Sequence, residues 1–249
     1  MERWVPWGQR AASFVALLAI WQVASLLVDP RLLPPPATVA VVLAAEIADG
    51  SLPYHVAITL ARTAGAFVIA MLIGTAIGVA MGRLPRLDRF FDGWLVLFLN
   101  IPALVTIVLC YVWFGLVEAA AIAAVAINKI PTVVVTVREG ARALDRDNLE
   151  MAQVFRFGRV KTLRHVVLPE LAPFLLAAAR SGLALIWKIV LVVELLGRSN
   201  GVGFQIYVFF QFFDIASILA YTIAFVIVIQ MVEWLLMRPI ERRASRWRR

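Results

Sequence analysis

Charge is scarce in this chain, cysteine all but missing and histidine nearly so. Only 16% of the 249 residues are charged while 62% are hydrophobic, which leaves too little polar surface to cover a soluble domain of this size. The lone cysteine, Cys110, lies inside an apolar run. Neither a disulfide nor a cysteine-based metal site is open to it, and it reads as a small packing residue. His55 and His165 are far apart in sequence and on opposite sides of the expected topology, so no metal site and no cofactor are predicted. The apolar runs hold no Ser/His, Asp/Asp or His-x-x-x-His constellation, which argues against an intramembrane protease or lipid transferase. No Gly-Lys pair occurs, so the glycine-rich segment 197–206 is not a phosphate loop.

What the chain has is apolar length. A hydrocarbon core roughly 30 Å thick is crossed by about 20 apolar residues. Runs at 11–28, 60–81, 94–117, 119–137, 170–196 and 215–237 therefore predict an all-α membrane protein of about six transmembrane helices, one domain over 1–249. Asn128, Lys129 and Pro131 interrupt the fourth run. The first run follows Arg3 and Arg10 but is too long, and too poor in a small-x-small site, for a cleaved leader.

The net charge of +8 raises the question of nucleic acid, and its distribution answers it. Arg83, Arg86 and Arg89 follow run two, Arg138 to Arg164 follow run four, and Arg238 to Arg249 follow run six. The opposite loops carry little beyond Arg31 and Arg198. Such asymmetry predicts a multi-pass protein with both termini cytoplasmic and no nucleic-acid partner. Leu32-Leu33-Pro34-Pro35-Pro36 cannot continue a helix and predicts an elbow, with a short helix over 38–49 after it. Gly74, Gly78 and Gly82 share one helix face, a spacing that lets backbones approach in lipid. A short re-entrant or interfacial helix is expected over 204–213.

Between runs four and five lies a charged, helix-patterned insert, 147–169. Asp147 to Glu150 fits a capping box with Asp147 as the cap. Leu149, Ala152, Val160, Leu163 and Val167 supply apolar positions, and Arg156, Arg159 and Arg164 a polar side. Gly158 offers a break, and Leu168-Pro169 opens the next span. Periodicity alone fits two readings, a basic helix on anionic lipid or a docking helix for a soluble partner that drives the chain.

The insert resembles the cytoplasmic "EAA" loop of permease subunits in bacterial ABC importers, E-A-A, three residues, G, nine residues, I-x-L-P. Glu150, Ala152, Val166, Leu168 and Pro169 fall on that spacing, Met151 replaces an alanine, and Arg156 stands at the glycine with Gly158 two residues on. Leu33 to Pro36, Gly78 to Arg83, Leu87-Asp88, Trp113 to Gly115, Leu185 to Gly197 and Gly201 to Phe204 resemble the branch for taurine, aliphatic sulfonates, nitrate and related solutes, over about 30–245. The resemblance implies a homodimeric pathway in the inner membrane and two ABC ATPases docked on Glu150, Ala152, Arg156, Gly158, Leu163, Leu168 and Pro169. It also implies an external binding protein, periplasmic or lipid-anchored, that delivers the solute, and no enzymatic activity in this chain.

Ionisable side chains inside spans cost at least about 2.5–3.5 kcal/mol on insertion scales and are functional candidates by default. Lys129, with Asn128 beside it, Lys188, Glu194 and Arg180 are the pathway candidates; Arg62 is expected to snorkel. Two readings stay open for the lysines, a buried pair with Glu194 or a cationic lining for an anion. A self-contained carrier or channel is the competing function; the docking insert and the lack of an evident inverted repeat argue against it.

Overall fold

The computed structural model describes residues 7–237, and among these every regular element is helical. The helices are α1 (Trp7–Leu27), α2 (Pro36–Ala48), α3 (Ser51–Arg83), α4 (Pro85–Asn100), α5 (Ala103–Phe114), α6 (Glu118–Arg142), α7 (Arg146–Val154), α8 (Arg159–Thr162), α9 (Leu168–Gly197), α10 (Val202–Gln211) and α11 (Ile215–Val232). Residues 1–6 and 238–249, whose Arg3 and Arg238 to Arg249 carry part of the expected orientation, lie outside the described residues.

α6 is the axis. It packs along α3 on one side and α9 on another. The glycine ladder explains the first contact: a Cβ on Gly74 would stand 2.7 Å from Val133, and one on Gly82 2.6 Å from Ala141, so only glycine admits the α6 backbone this closely. Matched numbers along the ladder make α3 and α6 parallel; the meeting of Gly140 with Phe174 and of Lys129 with Gly182 makes α9 antiparallel to them. Asn128, Lys129 and Pro131 do not interrupt α6, which runs 25 residues through Pro131. Ala66, Ile107, Cys110, Ala124 and Ile186 share a core between α3, α5, α6 and α9. A second core joins α3 and α9 to α10 and α11 around Trp187, Val202, Tyr221 and Phe225.

Spans two and three differ from expectation, and the fifth is continuous from Arg159 rather than starting at 170. The second begins nine residues early, at Ser51 rather than 60, because the helix opening at Ser51 runs unbroken into the apolar stretch. The third, expected as one helix over 94–117, is the pair α4 and α5, bent by 94° at Ile101-Pro102. Pro102 has no N–H to donate, and Ile101 before it is extended, as the residue preceding proline prefers. Among the described residues four helices are long and apolar enough to cross a membrane, or five if the bent pair is one span. The apolar part of α1, Ala12–Leu27, is shorter.

α2 starts at Pro36, and Trp21 Nε1 ties α1 to the preceding elbow by donating to the Pro34 carbonyl at 3.1 Å. The short helix predicted over 204–213 is α10, at Val202–Gln211.

Candidate functional site

α7 stands at the end of the bundle where α3 and α6 finish and α9 begins. Its cap is Asp145, two residues earlier than expected, whose carboxylate accepts from the Asp147 amide at 2.9 Å. Glu170 of α9 then fixes the helix from outside, accepting from the Asp145 amide at 2.9 Å and from Asn148 Nδ2 at 2.8 Å. Ala152 turns inward and is 1% exposed, whereas Val154 is 79% exposed; Glu150, Met151 and Phe155 are exposed beside it.

The turn after α7 is made by Arg156, not by Gly158. Arg156 has φ 52°, in the left-handed region, while Gly158 sits at φ −65° and serves as the extended N-cap of α8. The glycine position of the sequence pattern thus keeps its glycine-like backbone with an arginine in place. From Arg159 the chain is helical without interruption to Gly197, so Leu168-Pro169 is passed rather than used as a boundary. Pro169 cannot donate to His165, and the backbone widens into a π-helical turn over Leu163–Val167 just before it, with the Leu168 amide bonding Leu163. Val160 and Leu163, apolar members of the insert's stripe, are exposed. At the same end α6 is tied to α4 by Arg138, which pairs with Asp88 at 3.3 Å and Asp92 at 2.5 Å, and by Arg142, which pairs with Asp88.

The opposite end holds a buried polar network. Arg62 is 3% exposed rather than snorkelling, and Glu194 is fully buried against it at 2.8 Å. Arg62 Nε and Nη2 also bond the Glu118 carboxylate at 2.5 and 2.9 Å, Nη1 the Asn200 carbonyl at 2.8 Å, and Nη2 the Asn200 side chain. Glu194 further accepts from Thr59 Oγ1 and from the Gly203 amide, each at 2.9 Å. His55 Nδ1 accepts from the Gly201 amide at 3.0 Å. Gly201 has φ 108°, and any Cβ there would strike the Glu194 carboxylate. Arg198 closes the set on Glu118 at 2.9 Å. Two arginines face two glutamates, so the network is charge-balanced.

Neither lysine joins it. Of the two readings open for the lysines, the pair of Lys129 or Lys188 with Glu194 does not form, because Arg62 already occupies that carboxylate. Lys129 is buried and Lys188 exposed, on α9. Arg180 is exposed near Glu233 at 3.9 Å, and Asn128 is half-buried. Among the described residues no cluster of three or more His, Cys, Asp or Glu could hold a metal ion.

A helical bundle with this terminal helix–turn–helix has counterparts among known proteins. Residues 70–245 match the family described as binding-protein-dependent transport system inner membrane component. The chain belongs to that family. It is 30% identical to the putative aliphatic sulfonates transport permease protein of Bacillus subtilis over 93% of this chain and 84% of that protein. It is 28% identical to the taurine transport system permease protein of Escherichia coli, over 98% and 92% of the two chains. A bicarbonate transport system permease protein of Synechococcus elongatus is 27% identical over 66% of this chain and 59% of its own length. In fold, the chain matches an inward-facing MetNI methionine ABC transporter with a TM-score of 0.64 at 18% identity, covering 74% of this chain and 92% of that one. This multi-pass membrane protein is therefore built as an ABC importer permease, and its relatives are permeases rather than enzymes.

The Arg62 network escaped the sequence reading. Its signal was present in part: Arg62, Glu118, Glu194 and Arg198 all lie near the ends of apolar runs that the alternating topology brings to one face.

Proposed function

We propose that the chain is the transmembrane subunit of an ATP-driven importer, that two copies form the translocation route, and that ATP hydrolysis resides in two separate ATPase subunits docked on α7 with the α7 end facing the cytoplasm. The observation that carries this reading is the anchored yet exposed α7 surface. Ala152, Asn148 and the Asp145 backbone hold the helix rigidly to the bundle, while Glu150, Met151, Val154 and Phe155 stand exposed. A rigid helix with an open apolar and charged face suits the transfer of a partner's motion to the spans. Arg156 and Gly158 shape its turn, and Leu163, Leu168 and Pro169 join it to α9.

The route is assigned to the exposed face of α9, where Ser181, Ala184 and Lys188 stand outward, with Arg180 on the same helix and Asn128 on α6. Relatives named for aliphatic sulfonates, taurine and bicarbonate support a small anionic solute, delivered by an external binding protein to the face opposite α7. Glu150→Lys reverses a charge on the docking face and Leu163→Asp places one on its apolar part. Both are expected to abolish ATPase co-purification and solute-stimulated hydrolysis at unchanged membrane expression. Full coupling in both variants would return α7 to a role on the lipid surface.

A further inference from the structure

Lys129 stands halfway along α6, 2% exposed, and its Nζ has no hydrogen-bond partner among the described residues. Its Cε lies 3.1 Å from the point a Cβ would occupy at Gly182 of α9, and the Phe67 ring of α3 meets the same point at 3.8 Å. Lys129, Gly182 and Phe67 are all mid-helix positions of three spans, which puts the ammonium near the centre of the bilayer. A lysine there is costly to insert and is a functional candidate by default. The carboxylates at either end are committed elsewhere: Glu194 to Arg62, Thr59 and the Gly203 amide, Glu118 to Arg62 and Arg198, Asp88 and Asp92 to Arg138 and Arg142. A buried ion without a partner is a poor structural element, since an apolar residue of similar size would pack at no such cost.

Gly182 supplies the geometry. It is one residue, about 100° of helix rotation, from Ser181, and Ser181 belongs to the outward stripe with Ala184 and Lys188. The ammonium therefore lies behind the shoulder of α9, across a glycine that presents no side chain to hold the two helices together.

Resting on the permease reading above, we propose that Lys129 is an occluded anion site in the middle of the translocation route. When α9 turns or slides away from α6 at Gly182, the ammonium faces the route, and an oxyanion group of the passing solute supplies the missing counter-charge. Lys129 is then unpaired in one state and solute-paired in the other. That difference gives the solute unequal affinity for the two conformations, which is what a ligand needs to shift their balance.

The test is cysteine accessibility in the complete transporter, reconstituted with its ATPase in a Cys110→Ser background. The probes are anionic 2-sulfonatoethyl methanethiosulfonate and its cationic trimethylammonium counterpart. Lys129→Cys is expected to react in either the nucleotide-free or the ATP-locked state, and at least about tenfold more slowly in the other, because a minor conformation is populated to roughly 10% or less. Ser181→Cys reports on the route itself and reacts in at least one state. Its preference for the anionic probe falls when Lys129→Met is added; an unchanged preference overturns the anion site. If Ser181→Cys reacts while Lys129→Cys is inert in both states, the lysine is structural and the inference fails, with the permease reading intact. If neither reacts, the α9 route is wrong and the inference falls with it. Should Lys129→Cys fail to assemble, Gly182→Cys probes the same contact from α9: reaction in one state supports the site, and inertness in both overturns it.

Discussion

Arg62 uses all five N–H donors on Glu118, Glu194 and Asn200. Arg62→Met would leave Glu194 buried without its cation, and breaking a buried pair on one side costs about 3–5 kcal/mol. The expected outcome is a large drop in the detergent unfolding temperature, partly restored by adding Glu194→Gln, which removes the stranded charge. An unchanged unfolding temperature in the single variant would show that the network does not stabilise the fold. Position along the chain alone predicts a snorkelling Arg62, because its partners are 56, 132 and 138 positions away. Arg156 is the converse case. The pattern marks a glycine-type backbone there, and the structure puts the arginine in that conformation at φ 52°.

The α3–α6 contact is the element on which the bundle is built. A Cβ at Gly78 would stand 2.9 Å from both the Val134 carbonyl and Val137. Gly78→Val therefore forces backbone to move, and overpacking of this kind costs about 1–3 kcal/mol or more. Gly93 of α4, with nothing within 4 Å of its Cβ position, is the control: Gly93→Ala should be neutral or stabilising by about 0.5–1 kcal/mol. Thermal unfolding of the two variants side by side checks this, and equal behaviour would mean the glycine ladder is not what sets the helix separation. The ladder was legible because it depends on local spacing. The break of α4 from α5 was not read from Pro102, since proline also sits unbroken inside α6 as Pro131, and tertiary packing decides between the two outcomes.

At the scale of the molecule, one copy leaves much apolar and polar surface unmatched. Leu17, Ile20, Leu26 and Leu27 of α1 are exposed, and so is the α9 stripe that includes Lys188. A route lined by one exposed face needs a second surface to close it, so two copies of this chain and two ATPase subunits are expected in the native mass of the complex in nanodiscs. A complex with one copy, or with a different second permease, would sink the homodimer.

The class of the protein is legible in its amino acids alone. Apolar runs of membrane length dictate helices, because in hydrocarbon every backbone group must be satisfied within its own segment. The loop pattern of Glu150, Ala152 and Pro169 pointed to the family whose match is found over 70–245. Both signals are local, written within one helix or one loop. Which charges meet was decided only by tertiary structure. Glu194 could pair with Arg62, Lys129 or Lys188 as far as position along the chain can tell, and the packing of α3, α6 and α9 gave it to Arg62. That choice, set by helix direction and rotation rather than by any short motif, is what leaves Lys129 buried without a partner among the described residues.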